Sequence, residues 1–212
     1  SSNTNAMFTA INATGNAVFL SGQQAVPYQI SSSGAVLMRP ISTSRLFGSS
    51  AAASALDAVL KTGSGHILAA DHASVNDRSI RFGTFVTDAL RNGSVTTDFG
   101  AATGLAGQLR TVARMIAARG ALGVTRQVFM VSIGGFDNHD GLIGTHDGLL
   151  GQVDFALDAF YRATIELGVA DLVTTFTASD FGRTLSSNGD GSDHGWGSHH
   201  FVLGGAVNGG RF

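Results

Sequence analysis

Apolar residues recur at helical spacing through the middle of the chain. Residues 51–61 are rich in alanine and residues 66–91 contain few helix-breaking residues, so both stretches predict helices. A stripe of apolar residues three or four positions apart predicts a third helix over 105–119. The same pattern predicts a fourth over 149–167, which Gly168 ends.

Shorter apolar runs on either side of this helical region predict strands. In the first 48 residues such runs alternate with glycine- and serine-rich turns, and they cover 7–13, 17–20, 28–30 and 35–38. Later in the chain the unbroken runs 127–133, 172–178 and 201–203 are typical of strands buried on both faces. A strand, a helix and a strand in succession predict a right-handed βαβ unit.

These elements predict the α/β class, with a mainly parallel sheet flanked by helices. We expect the three later strands to share that sheet and the helices 105–119 and 149–167 to cover it. Within one domain, the organisation is a β-rich segment over 1–48, a helical segment over 49–125 and a βαβ core over 126–212.

The composition of the chain argues against several classes of partner and site. The 212 residues carry a net charge of −2, and without a basic stripe for phosphates we expect no nucleic-acid partner. There is no cysteine, which excludes disulfides, thiolate catalysis and cysteine-ligated metals. No run of 18 apolar residues occurs, so no transmembrane segment is predicted.

The chemistry is concentrated between residues 137 and 200. The first buried run leads into Asp137-Asn138-His139, and side chains two apart in extended backbone point the same way. The second run ends at Asp180, which the βαβ arrangement should bring close to Asp137.

A glycine-rich loop then leads to Asp193 and His194. Carboxylates that converge repel one another, and a divalent cation removes that cost. Mixed carboxylate and imidazole ligation suits zinc, manganese or iron, whereas ligation by oxygen alone suits calcium or magnesium. Each residue alone has a structural alternative: Asp137 as a turn residue, Asp180 as a cap, and His199 and His200 as strand flanks.

Five segments resemble the bacterial domain-of-unknown-function 1501 family. They are residues 14–22 (TGNAVFLSG), 129–139 (FMVSIGGFDNH), 179–183 (SDFGR), 193–195 (DHG) and 201–207 (FVLGGAV). The likeness covers essentially the whole chain. It implies a relation to the alkaline phosphatase and sulfatase superfamily, whose members hold one or two divalent metals at the ends of parallel strands.

The resemblance also implies that part of the active site lies outside these residues. The superfamily's first strand and its nucleophile have no counterpart here, so we expect a fragment of a larger domain that does not hydrolyse esters alone. A superfamily strand that ends in two ligands, Asp and His, ends here in Asp180-Phe181. Members are often exported by a twin-arginine signal, which implies a periplasmic or secreted protein.

Two functions follow as hypotheses. In the first, the chain belongs to a metal-dependent hydrolase of small anionic phosphate or sulfate esters. Its divalent metal (zinc, manganese or calcium) would be held by Asp137, His139, Asp180 and His194. Asp193 would be a further ligand or would orient His194. Arg183 would clamp the substrate oxyanion or pair with Asp180 or Asp193. In the second, the chain is a non-catalytic exported binding or assembly protein that retains the fold, with or without one structural metal.

Overall fold

The computed structural model describes residues 3–15, 20–22, 27–63 and 65–210. Its contacts divide the chain into two compact units. The first unit contains the residues up to 94 together with 118–129, and the second contains 95–117 together with 130–212. The predicted run 17–20 lies outside the described residues except for Leu20.

A four-stranded, mostly parallel sheet lies in the first unit, in the order β3-β2-β1-β4. Its strands are β1 (Ala10–Asn12), β2 (Tyr28–Ser31), β3 (Gly34–Ala35) and β4 (Val128–Met130). β1 and β2 are parallel, whereas β2 and β3 form an antiparallel hairpin. The α/β class and the early strand at 28–30 are thereby confirmed, whereas the strand predicted over 35–38 is present only at Ala35.

An aromatic core covers this sheet. Phe8, in a short 3-10 helix Ala6–Phe8, is fully buried. Its ring meets Tyr28 and Phe82 edge-on, with centroids 5.2 and 5.6 Å apart, and stacks on Phe85 at 5.7 Å. These aromatic contacts join the sheet to the longest helix of the unit.

The helices of the first unit are α1 (Arg39–Ser42), α2 (Ser50–Lys61), α3 (Ile67–Asn92) and α5 (Arg119–Leu122). α2 begins after Ser49, whose hydroxyl accepts a hydrogen bond from the backbone of Ala52. Gly123 ends α5 at a φ of +68°. The predictions of helices over 51–61 and 66–91 are confirmed.

The second unit is built on α4 (Gly104–Ala117) and α6 (Leu142–Glu166). The helices pack closely because α6 buries small residues, Ala156, Ala159 and Ala163, on one face. The helix predicted over 105–119 is confirmed, with a break at Ala118. The helix predicted over 149–167 begins seven residues earlier, since two glycines and polar residues weaken the apolar pattern of its first turns.

The remaining strands of the second unit form two antiparallel pairs. β5 (Thr175–Phe176) pairs with β8 (Val202–Leu203), and β6 (Gly182–Ser187) pairs with β7 (Ser192–Gly195). The prediction that the runs 127–133, 172–178 and 201–203 share one parallel sheet is therefore wrong. A continuous apolar run predicts a strand but does not specify its partner.

One side chain explains why the first of these runs becomes a strand only over Val128–Met130. The Gln108 amide on α4 donates to the carbonyl of Ser132 and accepts from its backbone N–H, both at 2.8 Å. It thus satisfies the backbone groups that a neighbouring strand would otherwise bind. None of the described helices combines the length and apolarity needed to span a membrane.

Candidate metal centre

The first element of the site is the extended segment that joins β4 to α6. It carries Asp137 and His139, and it ends at Gly141, whose φ of +61° turns the chain into the helix. Asp190, in the turn after β6, binds this junction: its carbonyl accepts from Leu142 N and its carboxylate from Gly141 N.

The second element is the β6–β7 hairpin, which places Arg183 directly across from His194. The turn of the hairpin lies against the first segment. A Cβ added to Gly191 would overlap the backbone of Asn138 and His139, so only glycine allows this approach. Ser192 N also donates to the Asn138 carbonyl. The hairpin therefore docks directly beside Asp137 and His139.

Three side chains converge where these elements meet. Asp137 Oδ1 lies 3.1 Å from His139 Nε2 and 2.8 Å from His194 Nε2. One ligand atom from each residue lies within 4.8 Å of the other two. All three side chains are about half exposed, so the centre is open to small molecules. This confirms the expectation that Asp137 and His139 face one point.

Asp193 fixes the orientation of His139. Its Oδ1 lies 3.1 Å from His139 Nδ1 and accepts a hydrogen bond of 2.9 Å from Asn188 Nδ2. The same amide group donates to the His139 carbonyl at 3.0 Å. Asp193 therefore orients His139, whereas the sequence had offered it as a direct ligand or as the partner of His194.

Arg183 ties the two elements together. Its Nη1 donates to the Ser192 carbonyl at 2.6 Å, and its Nη2 donates to the Phe136 carbonyl at 2.7 Å and to Asp137 Oδ1 at 2.9 Å. The side chain is only 21 % exposed. Three guanidinium hydrogens are thus used within the protein. The aspartate that pairs with Arg183 is Asp137, whereas the sequence had suggested Asp180 or Asp193.

Comparison with known proteins places the chain in a family. Residues 21–212 match the family described as "Protein of unknown function (DUF1501)". The chain belongs to the DUF1501 family. No curated protein and no solved structure matches it.

In this DUF1501 chain, the fourth predicted ligand stays outside the centre. Asp180 is exposed in the segment between β5 and β6, and it is not among the described residues whose ligand atoms group together. Its prediction relied on a parallel pairing of the first two strands, which does not form. The structure therefore brings Asp137, His139 and His194 together, as expected, and leaves Asp180 out of that group.

Phe181 has a definite place in the site. Its ring stacks on His194, with centroids 4.3 Å apart and planes 10° apart, and the Arg183 guanidinium lies 5.0 Å from its centre. Phe181 thus fixes the ring of His194, a candidate ligand.

Hydrogen bonds and neighbouring charges favour the ionised form of the Asp137 and Asp193 carboxylates. The hydrogen bond from His194 lowers the pKa of Asp137, helped by the charges of His139 and His194 and the hydrogen bond from Arg183. The hydrogen bond from Asn188, followed by that from His139, lowers the pKa of Asp193. An ionised carboxylate is the form that binds a metal ion.

The donor atoms fit a metal ion in spacing and in kind. Ligand distances of ~2.0–2.2 Å around a tetrahedral ion place ligand atoms roughly 3.3–3.6 Å apart. The observed 2.8 and 3.1 Å would open by roughly 0.2–0.8 Å to reach that spacing. With Asp193 accepting the Nδ1 hydrogen, neutral His139 directs the lone pair of Nε2 at the Asp137 oxygen, and a metal ion between the two atoms would relieve this arrangement.

Sequence reasoning missed Asn188. Its Oδ1 also accepts from Gly191 N, so one side chain holds the turn, Asp193 and the His139 backbone. The Asn188-Gly189-Asp190-Gly191 run was a turn signal in the sequence. That signal could have pointed to an asparagine with a structural role, although not to its partners.

Proposed function

We propose that this DUF1501 chain contributes a divalent-metal centre to the hydrolysis of small phosphate or sulfate esters. The observation that carries the proposal is the convergence of Asp137, His139 and His194, with Asp193 behind His139. A histidine that gives one nitrogen to the centre and the other to a carboxylate is a common arrangement in protein metal sites.

The donor set favours zinc or manganese over calcium. Two imidazole nitrogens and one carboxylate oxygen are ligands of borderline metals, whereas calcium prefers six to eight oxygens. Catalytic zinc sites commonly have three protein ligands and leave a position open. Asp180 is not needed to complete such a set.

In a hydrolase, a bound metal ion polarises the ester oxygen and stabilises the charge that develops on it. The protein's own residues hold this centre rigid. Asp193 and Asn188 fix the His139 ring, Phe181 fixes the His194 ring, and Arg183 joins the loop to the hairpin. The resemblance to the alkaline phosphatase and sulfatase superfamily supports phosphate or sulfate esters as the substrate class.

Zinc binding to the chain, measured by calorimetric titration, tests the centre. We expect one zinc per chain and a loss of affinity in His139→Ala and in His194→Ala that exceeds the roughly 10- to 100-fold effect of removing an outer-shell partner. His72→Ala, a histidine of the first unit outside the group, should bind zinc like the wild type. Equal affinity in all four proteins would refute the centre.

Turnover tests the reaction. With saturating zinc, the full-length protein should release nitrophenol from an aryl phosphate or an aryl sulfate. A chelator or His194→Ala should abolish this release. Turnover that is unchanged by both would show that the metal centre is not the catalyst.

The alternative function is a non-catalytic binding or assembly protein that keeps the metal for structure. The position of Phe181 favours it, because a ring that cannot ligate occupies a place where the superfamily has a ligand. This alternative would be supported if the full-length protein bound one zinc per chain but hydrolysed neither ester. Export to the periplasm stays a prediction from the resemblance.

A further inference from the structure

A second cluster of reactive side chains lies in the second unit, outside the metal group. Ser198 Oγ is 2.6 Å from His200 Nε2, and Thr177 Oγ1 is 3.1 Å from His200 Nδ1. Both nitrogens of one imidazole are therefore bound to hydroxyl groups. A serine on Nε2 and a fixed oxygen on Nδ1 is the arrangement by which a histidine activates a serine nucleophile.

The Thr177 hydroxyl oxygen, which contacts His200 Nδ1, is held firmly. Thr177 follows β5 and Phe201 precedes β8, and the two residues continue the pairing of those strands. Thr177 N donates to the Phe201 carbonyl at 3.0 Å, and Phe201 N donates to Thr177 Oγ1 at 2.9 Å. One lone pair of the hydroxyl oxygen remains to accept the His200 Nδ1 hydrogen.

The backbone beside the serine is held as well. Gly197 N donates to the Arg183 carbonyl at 3.1 Å and the Gly197 carbonyl accepts from Arg183 N at 2.7 Å. In the tautomer with its hydrogen on Nδ1, His200 has a free lone pair on Nε2, and Ser198 donates to it. Ser198 and His200 are both exposed, so a reagent can reach the hydroxyl.

We propose that Ser198 is a nucleophile toward activated phosphoryl and acyl compounds, with His200 as its base and Thr177 as a positioning residue. With a fluorophosphonate, Ser198 Oγ forms a bond to phosphorus, its proton passes to His200 Nε2, and the fluorine leaves as fluoride with the bonding electrons. Thr177 supplies no negative charge to stabilise the imidazolium, so we expect slower reaction than in enzymes with an aspartate at this place.

The experiment is covalent labelling of the full chain with a fluorophosphonate probe in the presence of a chelator, followed by intact mass measurement and peptide mapping. We expect a single adduct on Ser198. Ser198→Ala should abolish labelling, whereas Ser186→Ala, another exposed serine of the same unit, should not change it. A labelling rate in Ser198→Ala equal to that of the wild type would overturn the proposal.

The roles of the other two residues have matched controls. His200→Gln should slow labelling at least about 10-fold. This is less than the 10²–10⁴-fold rate acceleration that a general base usually gives, because the base here is weakly supported. His199→Gln should leave the labelling rate unchanged. Thr177→Val should slow labelling several-fold. Thr177→Ser keeps the hydroxyl group and should label at the wild-type rate, whereas a merely structural role would not require that group. Wild-type labelling in His200→Gln would overturn the assignment of the base. Because the chelator is present throughout, the outcome is independent of the proposed metal centre.

Discussion

At the residue scale, one oxygen atom organises the site. Asp137 Oδ1 receives contacts from two imidazoles and from the Arg183 guanidinium. Around it, Asp193 and Asn188 act through His139. The positions of the ligand atoms therefore depend as much on the residues that orient the ligands as on the ligands themselves.

This geometry predicts the effect of removing the support of His139. Asp193→Asn and Asn188→Ala should each weaken zinc binding by roughly 10- to 100-fold, because the His139 ring loses its fixed orientation. Calorimetric titration measures the change. Asp147→Asn, an exposed aspartate on α6, is the control and should bind zinc as the wild type does. An Asp193→Asn variant with undiminished affinity would show that His139 does not depend on this contact.

The contacts of Glu166, the single glutamate of the chain, predict that the free energy of unfolding depends on pH. Glu166 accepts four hydrogen bonds, two from Thr96 and two from Thr97, at 2.6–2.9 Å. The hydrogen bond from the Thr97 side chain, then that from the Thr96 backbone, lowers its pKa from 4.5 to about 2. A lowered pKa in the folded state means that the stabilisation is complete above about pH 4.5 and is lost as the pH falls toward 2.

Glu166→Gln should therefore unfold at lower urea concentration than the wild type at pH 7, and the difference should shrink as the pH falls from about 4.5 toward 2. Urea unfolding at a series of pH values measures this. Asp147→Asn should show no comparable trend. A difference that stays constant over the whole range would contradict the role assigned to Glu166.

At the element scale, the site depends on how the β6–β7 hairpin meets the segment before α6. Gly191 lies so close to the backbone of Asn138 and His139 that any side chain would overlap it. The close contact of two backbones, and not a bond between ligands, sets the distance between the two halves of the metal centre.

Gly191→Ala should consequently reduce zinc affinity although Gly191 offers no ligand atom, because the methyl group pushes the hairpin away from His139. Gly144→Ala is the matched control: its added Cβ meets nothing within 4 Å on α6, and the helix should gain stability of about 0.5–1 kcal/mol. Calorimetric titration and thermal unfolding report both effects. Undiminished zinc affinity in Gly191→Ala would show that the hairpin tolerates the shift.

The packing of α4 against α6 predicts a stability effect with no effect on the site chemistry. Met115 on α4 is fully buried, and Met115→Ala should cost about 2–5 kcal/mol through lost burial and the cavity that remains. Ile165→Ala, a position 56 % exposed on α6, should change stability by no more than about 0.5 kcal/mol. Urea unfolding compares the two. A cost for Met115→Ala below that of Ile165→Ala would contradict the observed core.

At the scale of the whole molecule, all the residues of both proposed sites belong to the second unit, while the mostly parallel sheet belongs to the first. Zinc should therefore slow amide hydrogen exchange in the β6–β7 hairpin and leave exchange in β1 and β2 unchanged under native conditions. Mass spectrometry of exchanged peptides measures both regions. Equal protection of β1 and β2 would show that zinc binding stabilises both units as one.

The sequence by itself determined the helices and the pairing of Asp137 with His139. Helical periodicity and the two-residue repeat of extended backbone are local properties, so neighbouring residues carry all the information they need. The α/β class also followed from such local patterns, although the mostly parallel sheet forms mainly from the early strands and takes only β4 from the three later runs.

Only the tertiary structure decided which strands pair and which side chains join Asp137. An apolar run does not specify its partner strand, so the parallel pairing expected to bring Asp180 to Asp137 did not form. His194 reaches Asp137 on a hairpin that no local pattern connects to the first loop. Asn188 and Gly191 matter for the same reason. Their importance comes from contacts with residues about 50 positions away in the chain, which form only when the hairpin docks.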